Sequence, residues 1–143
     1  MNSTKEDKIF LDSNIIIYAY DKTAGNKCDI ANQILVDLWN IGNGIISTQV
    51  LSEFFVNVTR KIRTPLNAIQ AKEIVKDLLK WQVVVNYGNS ILNVIDLQIK
   101  YKYSFWDSMI LQSAISSDAK ILLSEDFSHG QTIEGVKIEN PFL

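Results

Sequence analysis

Short apolar runs alternate with longer stretches of helical periodicity along this chain. Residues 8–12, the pair Ile45-Ile46, the β-branched run 83–85 and residues 120–123 are predicted to be strands. Val136 and Ile138 suggest a last, short strand at the edge of the sheet. Such alternation is typical of βαβ units, and it predicts an α/β fold built on a parallel sheet.

Helices are predicted in the segments between these runs. One follows residue 12 directly, and the others cover approximately residues 26–39, 50–58, 67–81, 90–101 and 105–117. No internal repeat, low-complexity tract or flexible linker interrupts this pattern. A chain of 143 residues is long enough to bury a core of its own, so we expect residues 1–143 to form a single domain.

Four acidic residues follow strands or lie early in helices. Asp12 ends the first strand and Asp126 follows the strand at 120–123, whereas Asp107 and Glu53 lie near helix starts. Ligands of open α/β sheets bind beyond the carboxyl ends of the strands, where the strand order reverses. Carboxylates gathered there repel one another unless a cation lies between them, and Mg²⁺ and Mn²⁺ prefer oxygen ligands. The pattern therefore predicts a metal-dependent enzyme that acts on phosphate esters.

Each motif also has an alternative, structural explanation. Asp12 could simply cap a helix, and Ser104 with Asp107 matches a capping box, although Glu or Gln is more usual at its last position. Asp126 could belong to a turn. Glu53 is flanked by apolar residues, so a partly buried carboxylate there needs a partner.

Composition excludes several chemistries. His129 is the only histidine, so a two-imidazole ribonuclease is excluded, a His/Cys zinc site lacks ligands, and His129 itself is expected to be a surface residue. The net charge of −2 predicts no general basic surface for nucleic acid. Arg60, Lys61 and Arg63 form the densest basic cluster, which is either a solvated helix end or a contact for phosphate.

Three features predict a cytoplasmic protein. Cys28 is the only cysteine and cannot form an internal disulfide, which fits a reducing compartment. Residues 1–8 lack the apolar core of a signal peptide. The longest apolar stretch, residues 15–20, is too short to span a bilayer, so no membrane association is expected.

The acids lie in four short motifs: Phe10-Leu11-Asp12-Ser13-Asn14, Gln49-Val50-Leu51-Ser52-Glu53-Phe54, Phe105-Trp106-Asp107-Ser108 and Leu122-Leu123-Ser124-Glu125-Asp126. In this order they resemble a PIN-domain ribonuclease, specifically the VapC-type toxin of a type II toxin–antitoxin pair. The closing segment, residues 127–142, resembles one branch of that family, so the resemblance covers residues 9–142.

The resemblance implies a PIN-like three-layer α/β/α sandwich with a parallel sheet of about five strands. It also implies a Mg²⁺ or Mn²⁺ site formed by Asp12, Glu53, Asp107 and Asp126. Members of the family typically form homodimers and are held inactive by an antitoxin protein that lies over the site.

The resulting hypothesis is a divalent-metal-dependent endoribonuclease. A metal-activated water would attack the RNA phosphodiester in line, with one or two ions bound. Asp12 and Asp107 are the expected direct ligands, whereas Glu53 and Asp126 act through water or orient the attacking water. Ser13, Asn14 and Ser124 are polar neighbours suited to support these ligands. Glu125 is less suited to ligation than Asp126, because neighbouring side chains diverge.

Two alternatives remain open. A PIN fold could serve as a non-catalytic binding module for protein or RNA, although such a degenerate domain would be expected to lose some of the four acids. A phosphatase of the haloacid-dehalogenase type also uses an Asp after its first strand. That family needs a second Asp two residues further on, and Asn14 occupies this position here.

Overall fold

The structure, a computed structural model, describes residues 6–143. The first five residues of the expected domain 1–143, and of the polar segment 1–8, therefore lie outside the described part. The elements in chain order are β1 (Ile9–Leu11), α1 (Ser13–Ala19), α2 (Asn26–Ile41), β2 (Gly44–Ser47), α3 (Thr48–Arg60), α4 (Ala68–Leu78), β3 (Gln82–Val84), α5 (Gly88–Tyr101), α6 (Phe105–Ser116), β4 (Ile121–Leu123), β5 (Thr132–Ile133) and β6 (Val136–Glu139). A 3₁₀ turn, Lys22–Ala24, precedes α2.

The strands form one sheet in the order β3-β2-β1-β4-β6-β5. Five strands run parallel, and β1 lies between β2 and β4, with Phe10 opposite both Ile45 and Leu122. The chain moves outward from β1 to β3 and then returns to the other side of β1 at β4. The carboxyl ends of β1 and β4 therefore meet where the strand order reverses, which is the usual place for a ligand crevice.

The prediction that residues 136–138 form the edge strand is wrong. β6 pairs in parallel with β4 and in antiparallel fashion with β5, so β5 is the edge strand. The hairpin between them turns at Glu134 and Gly135, which both have positive φ, at 49° and 87°. Two-residue hairpin turns with both central residues in this region match the right-handed twist of the strands. The sheet thus has a sixth strand beyond the five parallel ones.

Helices cover both faces of the sheet. The helices α1 to α4 pack on one another in a contiguous group, whereas α5 and α6 pack against each other. The reversal of direction after β3 places these two groups on opposite faces, and the strand residues Phe10, Ile46 and Leu122 are completely buried. The predicted three-layer sandwich is confirmed.

Helix α4 is shorter than predicted. Its capping box is formed by Asn67 and Gln70, but the helix ends at Leu78, not at Trp81. The ring of Trp81 packs edge-to-face against Trp39 at 5.4 Å and lies directly over Gly44. Among the helices of residues 6–143, none has the length and hydrophobicity needed to cross a membrane.

Candidate active site

The four predicted acids line a single open cavity of about 510 Å³ at the carboxyl ends of β1 and β4. The strands and helices that carry them are far apart in sequence, so the fold is what brings the carboxylates together. Ile17, Val56 and Ile110 also line the cavity. The grouping expected from strand ends and helix starts is therefore present, whereas the catalytic roles of the four acids stay predictions.

Asp12 is the most buried of the four acids. It lies directly after β1 and caps α1, with Oδ1 accepting a hydrogen bond from the Ser13 N–H at 2.7 Å. Oδ2 accepts a hydrogen bond from the Ser124 hydroxyl at 2.8 Å. Burial raises the pKa of Asp12 to about 7, and the nearby negative charges of Asp126 and Glu53 also raise it. The two hydrogen bonds lower the pKa but do not offset these effects. Asp12 therefore caps α1 and also lines the cavity, so the two explanations of this residue are compatible.

Glu53 is half-buried on the second turn of α3. Its Oε1 accepts a hydrogen bond from the Ser13 hydroxyl at 2.9 Å, and its Oε2 accepts one from the Gln49 amide at 3.2 Å. The same amide nitrogen donates to the backbone carbonyl of Trp106 at 3.1 Å, which links α3 to the start of α6. The partly buried carboxylate expected from the sequence therefore has neutral hydrogen-bond partners.

Asp107 lies in the first turn of α6. The Ser104 hydroxyl accepts a hydrogen bond from the Asp107 N–H at 3.1 Å and caps the helix. Partial burial raises the pKa of the Asp107 carboxyl, and the charges of Asp126 and Glu53 raise it further. The capping function thus belongs mainly to Ser104, which leaves the Asp107 carboxylate facing the cavity.

Asp126 lies in the loop after β4 and is the exposed acid of the set. Its Oδ2 accepts a hydrogen bond from the Asn14 amide at 3.1 Å, and its N–H donates to the Ser124 hydroxyl at 3.0 Å. Ser13, Asn14 and Ser124 therefore each contact at least one of the acids. These contacts suit the supporting role that the sequence predicts for them.

No lysine, arginine or histidine of the described chain forms a hydrogen bond or an ion pair with any of the four carboxylates. Their donor atoms are all hard oxygens, which is the chemistry that Mg²⁺ and Mn²⁺ prefer. Within residues 6–143, however, no three acidic, histidine or cysteine side chains already form a metal-binding cluster. The donor set thus fits a divalent cation whose coordination is completed by water or by small side-chain movements.

Sequence reasoning missed two polar contributors to the site, Asn57 and Gln49, and it named Lys61 only as one of three residues in a basic cluster. Asn57 and Lys61 line the cavity with Glu53, whereas Arg60 and Arg63 of the same basic cluster do not. Asn57 and Lys61 follow Glu53 at intervals of four residues, which places all three on one helix face, and this spacing could have identified them. Gln49 precedes Glu53 by four residues and could have been found in the same way.

His129 is exposed, as expected, and its Nδ1 accepts a hydrogen bond from the Asn140 N–H at 3.0 Å. It does not line the cavity. Glu125 points away from the cavity, as the divergence of neighbouring side chains predicted. Its carboxylate instead binds Tyr18 and Lys27.

Comparison with known protein families agrees with this architecture. The PIN domain family model matches residues 9–132, and the chain therefore belongs to the PIN domain family. No curated protein sequence matches the chain.

Solved structures with the same fold include chains of toxin–antitoxin complexes. A chain of a toxin–antitoxin complex from Klebsiella pneumoniae is 20% identical, with a TM-score of 0.68 over 94% of this chain and 98% of that one. A chain of VapBC2 from Rickettsia felis, bound to a DNA fragment of its promoter, is 18% identical, with a TM-score of 0.65 over 92% and 97%. VapC20 from Mycobacterium tuberculosis, a toxin that cleaves the sarcin–ricin loop, is 13% identical, with a TM-score of 0.61 over 80% and 87%.

Proposed function

We propose that the protein is a divalent-metal-dependent endoribonuclease and the toxin of a toxin–antitoxin pair. The observation that carries this proposal is the convergence of four carboxylates on one cavity without a cationic partner. Membership of the PIN domain family supports nuclease chemistry, and the similarity to VapC20, which cleaves the sarcin–ricin loop, supports RNA as the substrate.

Asp12 and Asp107 would hold Mg²⁺ or Mn²⁺ directly, and Glu53 and Asp126 would act through water ligands. A bound divalent cation would stabilise charge on the scissile phosphate and lower the pKa of the attacking water. Asp12 is oriented in advance of metal binding, because both of its oxygens accept hydrogen bonds, as do both oxygens of Glu53. Neutral partners leave its negative charge available, since Ser13 and Ser124 hold the carboxylate without an ion pair.

Two further residues of the cavity, Lys61 and Asn57, suit an RNA phosphodiester. Lys61 has no ion-pair partner among the described residues and carries a positive charge to the rim of the cavity. It would bind a phosphate next to the scissile one, and Asn57 could add a neutral hydrogen bond. Glu53, held by Ser13 and Gln49, would orient the attacking water. The 2′-hydroxyl is not the nucleophile, so the products would carry 5′-phosphate and 3′-hydroxyl ends.

The proposed partners are a cognate antitoxin protein and a second copy of the chain. The antitoxin is supported by the fold shared with chains of several toxin–antitoxin complexes. Homodimer formation rests on the resemblance to VapC-type toxins alone. A cytoplasmic location is supported by Cys28, which is a free thiol.

The direct test is cleavage of total cellular RNA by the purified protein, free of antitoxin, with Mg²⁺, with Mn²⁺ and with EDTA. Asp12→Asn, purified identically, controls for a contaminating nuclease. Cleavage that requires metal and disappears in Asp12→Asn would support the proposal, and mapping of the RNA ends would identify the target. Ends with 2′,3′-cyclic phosphate would contradict the mechanism.

An inactive but folded wild-type protein would favour the non-catalytic binding module. The phosphatase alternative is tested in parallel with a small phosphate ester as substrate. A PIN nuclease should release no inorganic phosphate from it. The position where a dehalogenase-type phosphatase needs its second Asp is occupied by Asn14, whose amide holds Asp126.

A further inference from the structure

Glu125 forms a three-residue cluster with Tyr18 and Lys27, which we call the Glu125 clasp. The Glu125 carboxylate accepts a hydrogen bond from the Tyr18 hydroxyl at 2.5 Å and forms an ion pair with the Lys27 ammonium group at 3.0 Å. Tyr18 belongs to α1 and Lys27 to α2, whereas Glu125 lies in the loop after β4. The Glu125 clasp therefore ties this loop to two helices.

Aromatic packing reinforces the Glu125 clasp. The Lys27 ammonium group lies 4.9 Å from the centre of the Tyr18 ring and 5.5 Å from that of Phe142. The two rings meet edge to face with their centres 5.1 Å apart. The Glu125 side chain is only 23% exposed, so the ion pair is partly shielded from solvent.

The position of Glu125 in its loop links the clasp to the acidic cavity. Its neighbours are Ser124, which binds Asp12, and Asp126, which faces the cavity. Neighbouring side chains diverge. A Glu125 side chain held by α1 and α2 therefore leaves the Asp126 side chain directed toward the acidic cavity. The Glu125 N–H also donates to the Asn14 side-chain oxygen at 3.4 Å, and the amide group of Asn14 holds Asp126.

We propose that Glu125, held by Tyr18 and Lys27, is a positioning residue that orients Asp126 and thereby sets the affinity of the acidic cavity for a divalent cation. This inference rests on the proposed function, because it assumes that the four acids bind metal. Residues that orient metal ligands without touching the metal typically contribute about tenfold to one hundredfold in metal affinity.

The chain contains a matched control for the chemistry of the Glu125 clasp. Lys100 forms an ion pair with Glu134 at 3.2 Å, the Tyr101 hydroxyl donates to the same carboxylate, and the Lys100 ammonium group lies 5.3 Å from the centre of the Tyr101 ring. None of these three residues lines the acidic cavity. Glu134→Gln therefore removes an equivalent ion pair at a place where no metal ligand is oriented.

The experiment compares Mn²⁺ binding to the wild type, Glu125→Gln and Glu134→Gln by calorimetry, together with thermal unfolding in EDTA. We expect Glu125→Gln to weaken Mn²⁺ binding by about tenfold, and Glu134→Gln to leave it unchanged. Lys27→Met should also weaken Mn²⁺ binding, whereas Lys27→Arg, which keeps the positive charge, should bind Mn²⁺ with near wild-type affinity. If Glu125→Gln fails to fold, Lys27→Met with Lys100→Met as its control carries the same comparison.

Wild-type affinity in a folded Glu125→Gln would overturn the inference, as would an equal loss of affinity in Glu134→Gln. A wild type that binds no Mn²⁺ would instead refute the proposed function. In that case amide hydrogen exchange of Asp126 tests the orientation of the loop without metal, because its N–H donates to the Ser124 hydroxyl and this hydrogen bond must open before exchange. Faster exchange of Asp126 in Glu125→Gln supports the positioning role, and unchanged exchange overturns it.

Discussion

The hydroxyl of Ser124 donates a hydrogen bond to the buried carboxylate of Asp12, with 2.8 Å between Oγ and Oδ2. The two residues are 112 positions apart in the chain and follow the adjacent strands β1 and β4. A neutral donor keeps the carboxylate in place without cancelling its charge. The cost of burying an unpaired anion therefore remains in the metal-free protein, where a cation could relieve it.

The stability of the metal-free protein should depend on pH through Asp12. Its pKa is about 7 in the folded protein and near the ordinary value of 3.8 in the unfolded chain, so the folded state binds more protons between these values. The free energy of unfolding therefore falls as the pH rises from about 4 to about 7. Asp12→Asn should remove this loss and stabilise the protein near pH 8 by up to roughly 4 kcal/mol.

Urea unfolding in EDTA at about pH 5 and about pH 8 measures this effect. Asp96→Asn, on the exposed face of α5, is the control and should keep the wild-type pH dependence. An Asp12→Asn protein with the wild-type pH dependence would show that this carboxyl group is not the source.

Asp107→Asn should fold normally but lose metal-dependent RNA cleavage, because it keeps the shape of the side chain and removes one ligand charge. Ser104→Ala is the informative contrast. It removes the cap of α6 and should cost about 1 kcal/mol of stability. Calorimetry with Mn²⁺ should show weak binding in Asp107→Asn and near-normal binding in Ser104→Ala. Near-normal Mn²⁺ binding in Asp107→Asn and weak binding in Ser104→Ala would show that Asp107 has only a structural role.

Lys61→Ala should raise the KM for RNA several-fold while kcat changes little, because its proposed contact is to a phosphate away from the bond that breaks. The slope of log affinity against log salt should fall by about one. Arg63→Ala is the matched control, since it belongs to the same basic cluster but does not line the cavity. Equal effects of the two variants would indicate a diffuse electrostatic attraction.

Gly44→Ala should destabilise the protein without altering metal binding. A Cβ atom at this position would lie 2.5 Å from the Trp81 ring, so the ring must move and disturb its packing against Trp39. Overpacking of this kind typically costs about 1–3 kcal/mol. Urea unfolding measures the loss, and Gly88→Ala, whose added Cβ meets no atom within 4 Å, is the control. Equal stability of the two variants would show that Trp81 moves aside freely.

Much of the fold could be predicted because the central parallel strands β1, β2 and β4 are largely buried and consist of short apolar runs. Strand β5 could not, because it has two residues and depends on the turn at Glu134 and Gly135. The end of α4 was also misplaced, since the packing of Trp81 on Gly44 is a tertiary contact that helical periodicity does not contain.

The candidate site was predictable to a similar extent. The rule that ligands bind at strand ends placed Asp12 and Asp126 together. The hydrogen bond between Glu53 and Ser13 depends on the angle between α1 and α3, which local sequence does not specify. Lys61 lines the cavity whereas Arg60 and Arg63 do not, and this difference depends on the direction in which α3 ends.

The sheet is bounded by two very short strands, because β3 has three residues and β5 has two. Each therefore presents few unpaired backbone groups to which a strand of another chain could be added. Continuous β-structure across a subunit boundary is accordingly unfavourable for this protein. If the proposed antitoxin or a second copy binds, the association should rely on side-chain contacts of the helices. Substitutions on helical surfaces should then affect such complexes more than substitutions in β3 or β5.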